Sequence, residues 1–136
     1  MRLQFVPDES MPHFTIKGTF PSLNQYLSEC GRNPRAGNRL KRDHMMLATN
    51  AIRRQVDRHF KPKNPLIVHF RYFEPNMRRD KDNIDSLARK VIFDSLQATK
   101  IIENDGWKQI ENYTHDFFVC GKGEEPRIEV YLEEVE

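Results

Sequence analysis

Residues 66–98 read LIVHFRYFEPNMRRDKDNIDSLARKVIFDSLQA, and two hydrophobic periods follow one another inside that stretch. From Leu66 to Phe73, aromatic and β-branched residues dominate eight consecutive positions, the composition of a strand, and Pro75 ends it. From Ile84 to Ala98, the residues Ile84, Leu87, Ala88, Val91, Ile92 and Leu96 fall on one helical stripe, with Asp82 or Asn83 as the expected N-cap. A strand, a polar turn and an amphipathic helix in that order predict a sheet with helices on one face.

Outward from this unit the chain continues in the same style. His13 to Phe20 alternates Phe14, Ile16, Gly18 and Phe20 on one face, a strand stopped by Pro21. Leu40 to Phe60 places Leu47, Ala48, Ala51, Ile52, Val56 and Phe60 at spacings of mostly three and four, a helix closed by Pro62 and Pro65. Asn104, Asp105 and Gly106 mark a turn, Trp107 to Cys120 holds one or two extended pieces, and Ile128, Val130 and Leu132 alternate through a last strand. The predicted class is α/β (α+β): a small mixed sheet with two helices packed on one face, in the order β-α-β-α-β-β. No repeat, low-complexity tract or long linker divides it, so one domain over residues 1–136 is expected.

Composition narrows the classes. Charged residues make up 31% of the chain and hydrophobic ones 38%, which excludes collagen-like and membrane-spanning proteins. Apolar runs such as Phe117–Cys120 fall far short of the roughly 20 residues that a membrane helix needs. Pro7, Asp8 and Glu9 interrupt the opening MRLQFVPDES, so no secretory signal is expected. Cys30 and Cys120 are expected as free thiols of a cytoplasmic protein.

The net charge of +2 conceals a strong asymmetry. Gly31 to Lys63 carries ten Lys/Arg and two Asp, a net of +8, whereas Glu103 to Glu136 carries ten Asp/Glu and three Lys/Arg, a net of −7. Arg32, Arg35, Arg39, Lys41 and Arg42 are interspersed with Gly31, Pro34, Gly37 and Asn38, which predicts a mobile cationic loop. Its partner is either a polyanion such as DNA or simply water.

The chemistry-bearing stretch is Arg78-Arg79-Asp80-Lys81-Asp82-Asn83, with two carboxylates two residues apart between strand and helix. A hard divalent cation such as Mg²⁺ wants two or three carboxylate oxygens in octahedral geometry and keeps waters that a phosphate can displace, and Asp80 and Asp82 offer that nucleus. Asp105, in the turn after the second helix, offers a third acid. Spacing alone leaves ordinary roles open, because Asp before an apolar helix is commonly an N-cap and Asn-Asp-Gly an ordinary turn. The surrounding Arg78, Arg79, Lys81, Arg89 and Lys90 add the positive charge that a nucleic-acid phosphate requires.

In this ordered set the sequence resembles the RusA-type Holliday junction resolvases, small endonucleases common in prophages. The matching pieces span nearly the whole chain: Pro21-Ser22-Leu23-Asn24-Gln25-Tyr26, Arg79-Asp80-Lys81-Asp82-Asn83, Lys90-Val91-Ile92-Phe93-Asp94-Ser95-Leu96, Asn104-Asp105 and Pro126-Arg127-Ile128-Glu129-Val130. The resemblance implies a homodimer that cuts four-way DNA with Mg²⁺, or Mn²⁺ as a substitute, leaving 5′-phosphate and 3′-hydroxyl ends. It implies metal-binding acids at Asp80, Asp82 and Asp105 and a catalytic lysine at Lys90. DNA contacts are expected from Asn24, Arg32, Arg35, Arg39, Lys41, Arg42, Arg78 and Arg79. Two features differ from the type member: the run from Asp82 to Lys90 is one helical turn longer, about 6 Å, and Asn104 replaces an acid. The alternative from another class is a non-catalytic, phage-derived DNA-binding protein whose acids serve only as turn and cap residues.

Among the remaining residues, His13, His44, His59, His69 and His115 lack the spacing of a zinc site and are expected at ordinary surface or strand positions. Trp107, directly after the Asp105-Gly106 turn, is expected to anchor the core, with base stacking as the alternative.

Overall fold

The computed structural model describes residues 4–136, so Met1 to Leu3 of the N-terminal stretch lie outside the described residues. The elements are β1 (His13–Lys17), α1 (Leu23–Arg32), α2 (Pro34–Gln55), β2 (Leu66–Glu74), α3 (Lys81–Ala98), β3 (Ile110–Val119) and β4 (Arg127–Glu134). They form a mixed α+β domain whose sheet runs β1-β4-β2-β3. The β2·β3 pair is parallel, and the other two pairs are antiparallel. Parallel neighbours need a crossover, and α3 supplies it.

The core follows from period-two burial. Phe14 pairs with Val130 and Val130 with Phe70, while Ile16 pairs with Ile128 and Ile128 with Tyr72. These rows are buried against the helices together with Val68 and Leu132. All six stripe residues of α3 are buried as their spacing predicts, each contributing about 1.5–3 kcal/mol where a large aliphatic side chain leaves water. Beyond Thr99 the chain turns through Lys100 in the left-handed region (φ 64°), which lets the Ile101 N–H reach back to the Leu96 carbonyl at 3.0 Å.

Three helices are present where two were expected: α1 occupies residues 23–32, where no element was expected, and the stretch read as a cationic loop forms the first turns of α2. Ser22 caps α1 by accepting from the Gln25 N–H at 3.0 Å. Asn33 then ends that helix and starts the next: its side chain accepts from the Arg35 N–H at 3.0 Å, and Pro34 sits in the first turn, where no N–H is needed. Gly37 lies against Cys30, and a Cβ there would overlap the Cys30 sulfur. The apparent breakers are thus a cap, a first-turn proline and a close helix contact.

Leu47 stays half-exposed on the outside of α2, and Phe60 lies beyond that helix, packed against the core. Cys30 and Cys120 are both half-buried and not joined to each other. Among the described residues no helix is long and apolar enough to cross a membrane.

Candidate nuclease site and nucleic-acid surface

The end of β2 fixes the loop that carries the paired acids. Arg79 grips Glu74 through both guanidinium edges, Nε to Oε1 at 2.9 Å and Nη2 to Oε2 at 2.8 Å, and Nη1 donates to the Phe20 carbonyl at 2.6 Å. Glu74 is buried, so this fork neutralises a charge inside the fold and sets where α3 begins. The cap of α3 is Asp80, not Asp82 or Asn83; its carboxylate accepts from the Asn83 N–H at 3.1 Å. Asp82 follows in the exposed first turn and accepts from the Ser86 hydroxyl at 3.0 Å.

Two clefts lie along α3 and the edge strand β3. The first, of about 440 Å³, is lined by Lys81, Asp82, Asp85, His115, Asp116 and Phe117, together with Gln4. Asp85 forms its floor. This buried carboxylate accepts from the Tyr72 hydroxyl at 2.7 Å and from Arg89 Nε at 2.9 Å, and His115 Nδ1 stands 3.2 Å away. Burial, and next the adjacent Asp85 carboxylate, push the Tyr72 hydroxyl well above its ordinary pKa, so it remains a donor to Asp85.

The second cleft, about 510 Å³, is lined by residues including Arg89, Lys90, Asp105, Trp107 and Tyr113. Lys90 Nζ lies 3.8 Å from Asp105 and 3.3 Å from Asp94, whose other oxygen is 3.5 Å from Lys41 Nζ. Asp82 and Lys90 are separated by eight helical residues, about 12 Å along the axis. Asp80, Asp82 and Asp105 therefore share the flank of α3 without meeting, Asp80 facing a neighbouring apolar cleft beside Ile84 and Phe118. Among the described residues no three Asp, Glu, His or Cys side chains stand close enough to hold a metal ion together. The donor chemistry still suits Mg²⁺, which is commonly held by one or two carboxylates while water and substrate phosphate complete its shell. Asp82, exposed beside the first cleft, provides an oxygen donor of that kind.

The expected DNA-contacting residues divide into two groups. Arg35, Arg39 and Arg42 recur at spacings of four and three along exposed α2, and Arg53 continues the stripe beyond Met46 and Asn50. Over 18 residues it extends about 27 Å. Arg32, 78% exposed at the end of α1, stands 3.7 Å from Glu29, and Asn24 and Arg78 are exposed. Lys41 and Arg79, by contrast, are engaged by Asp94 and Glu74.

Trp107 corrects the expectation of a core anchor, since it is 98% exposed. Asp85, His115 and Asp116 were not singled out as site residues from the sequence. The available signal was Asp85 itself, an acid one turn before Ala88 and Arg89 on the buried side of an apolar helix.

No protein-family model matches this chain, and no curated protein matches it.

Proposed function

We propose that this protein is a Mg²⁺-dependent, structure-selective DNA endonuclease that resolves four-way junctions, acting as a cytoplasmic homodimer in a bacterial or phage-infected cell. The observation that carries the proposal is the pair of clefts along α3 and β3, one with Asp82 and Asp85 and the other with the Lys90–Asp105 pair. The ordered RusA-like motifs support it, and the homodimer, one strand cut by each subunit, rests on that resemblance alone.

In this proposal Asp82 would hold Mg²⁺ or Mn²⁺, with water and the substrate phosphate completing the shell; when bound the ion polarises the scissile phosphate and acidifies a water. Asp80, in the neighbouring cleft, and Asp105 are assigned to the metal by the resemblance alone. Beside Lys90, Asp105 would hold that ammonium toward a phosphate entering the second cleft. Asp85, fixed by Tyr72 and Arg89, would orient His115 at the cleft wall. Hydrolysis joins the water oxygen to phosphorus and breaks the bond to the 3′ oxygen, leaving 5′-phosphate and 3′-hydroxyl ends. The arginines of α2 would supply affinity for backbone phosphates and a steep salt dependence.

The rival reading, a DNA-binding protein without catalysis, gains support from the capping role of Asp80 and the ion pair of Asp105. Incubating the protein with a synthetic four-way junction and with linear duplex of equal length, in Mg²⁺ or EDTA, decides between them. Paired nicks in the junction that require Mg²⁺ are expected. Binding without cutting in either Mg²⁺ or Mn²⁺ would leave only the rival.

A further inference from the structure

The second cleft carries more than the lysine. An indole at 98% exposure is rare for so large an apolar side chain, and Trp107 lies on the rim of the 510 Å³ cleft. Across that cleft Tyr113 is 36% exposed, and the Arg89 guanidinium stands 4.4 Å from its ring centroid. Two aromatic rings and the cations Arg89 and Lys90 thus face one opening.

The surroundings argue against a protein partner. Glu103, Asn104, Asp105, Lys108, Glu111 and Asn112 are all exposed around the indole. A stable protein interface buries about 800 Å² on each side around an apolar centre, and the indole and Tyr113, set among exposed charged side chains, make a much smaller one. A flat heterocycle on an anionic backbone fits better. Its face can stack on the indole, its polar edge can meet Asn112, and its phosphate can meet Lys90 or Lys108.

We propose that Trp107 is a stacking platform for an unpaired nucleobase of DNA. The proposal rests on the nuclease reading above and adds a source of selectivity to it. Bases inside an intact duplex present no free face, whereas a base at a branch point or in a single strand does.

Trp107 is the sole tryptophan of the chain, so its fluorescence reports on this position alone. The test titrates the full chain with a short single-stranded oligonucleotide and with the fully paired duplex of the same sequence. The same DNAs, end-labelled, give affinities for wild type, Trp107→Ala and Trp107→Phe by anisotropy. Single strand is expected to quench the indole strongly and duplex weakly. Trp107→Ala should bind single strand roughly 5- to 100-fold more weakly at unchanged thermal stability, and Trp107→Phe should retain most of the affinity.

DNA binding with an unperturbed indole and an unchanged Trp107→Ala affinity would overturn the platform and leave the nuclease reading standing. Failure to bind DNA of any form would overturn the nuclease reading itself. A dimer that Trp107→Ala converts to monomer would overturn the platform in favour of a second copy of the chain covering the indole.

Discussion

Replacing Arg79 by alanine separates a structural cation from a DNA-contacting one. The guanidinium makes three hydrogen bonds, two to Glu74 and one to the Phe20 carbonyl, and the side chains of the ion pair are 26% and 8% exposed. Removing one partner of a well-made buried pair costs about 3–5 kcal/mol, mainly because the other charge is stranded. Solvent reaches the arginine, so a discounted value of about 2–4 kcal/mol is expected. For a chain of 136 residues that corresponds to a fall in Tm of roughly 10 °C. Urea unfolding monitored by circular dichroism measures it as a lower midpoint at constant slope. Adding Glu74→Leu to Arg79→Ala should recover about half the loss, since no buried charge then remains. The clamp is refuted if Arg79→Ala unfolds within about 0.5 kcal/mol of wild type while its affinity for DNA collapses.

Other consequences follow from single groups. Asp80→Ala should cost about 1 kcal/mol through loss of the α3 cap, while Asp80→Ser should keep that stability; if Asp80 also holds metal, both variants lose junction cleavage, which melting and cleavage assays on the same preparations will show. Tyr72 ionises in the unfolded chain near its ordinary value of 10.0 and only at higher pH in the fold, so its contribution is complete below that pH and declines above it. Chemical denaturation at successive pH values should therefore show stability falling above pH 10.0 in wild type and falling less in Tyr72→Phe. Gly37→Ala should destabilise by about 1–3 kcal/mol through overlap with Cys30, and Cys30→Ala in the same chain should relieve most of it on thermal melting.

The parts of the fold legible in the sequence are those in which hydrophobic period and burial coincide. The stripe from Ile84 to Leu96 and the alternations at Phe14/Ile16 and Ile128/Leu132 point inward as read. The α1–α2 corner was hidden because Asn33, Pro34 and Gly37 are breakers inside a helix but helix-makers at its start or at a close contact, and only the fold reveals which. The acids at the opening of α3 were legible by composition. Their geometry was not, because about two turns of α3 separate Asp82 from Lys90, whose ammonium lies beside Asp105. Asp85 and His115 come together only through the pairing of β2 with β3, which brings residues thirty positions apart into contact. Trp107 was misjudged because aromatic residues after turns ordinarily pack inward, and here the turn faces water.

The most direct measurement of the central claim compares wild type with Asp82→Asn on a labelled four-way junction, recording binding and cleavage in the same samples with Mg²⁺. Asp82 is exposed in the first turn of α3, so the amide should leave the fold intact. Junction affinity within about threefold of wild type is expected, a change below roughly 0.7 kcal/mol, with paired nicking abolished. Nicking by Asp82→Asn at the wild-type rate would remove the Asp82 carboxylate from the chemistry and overturn the nuclease site proposed at the start of α3.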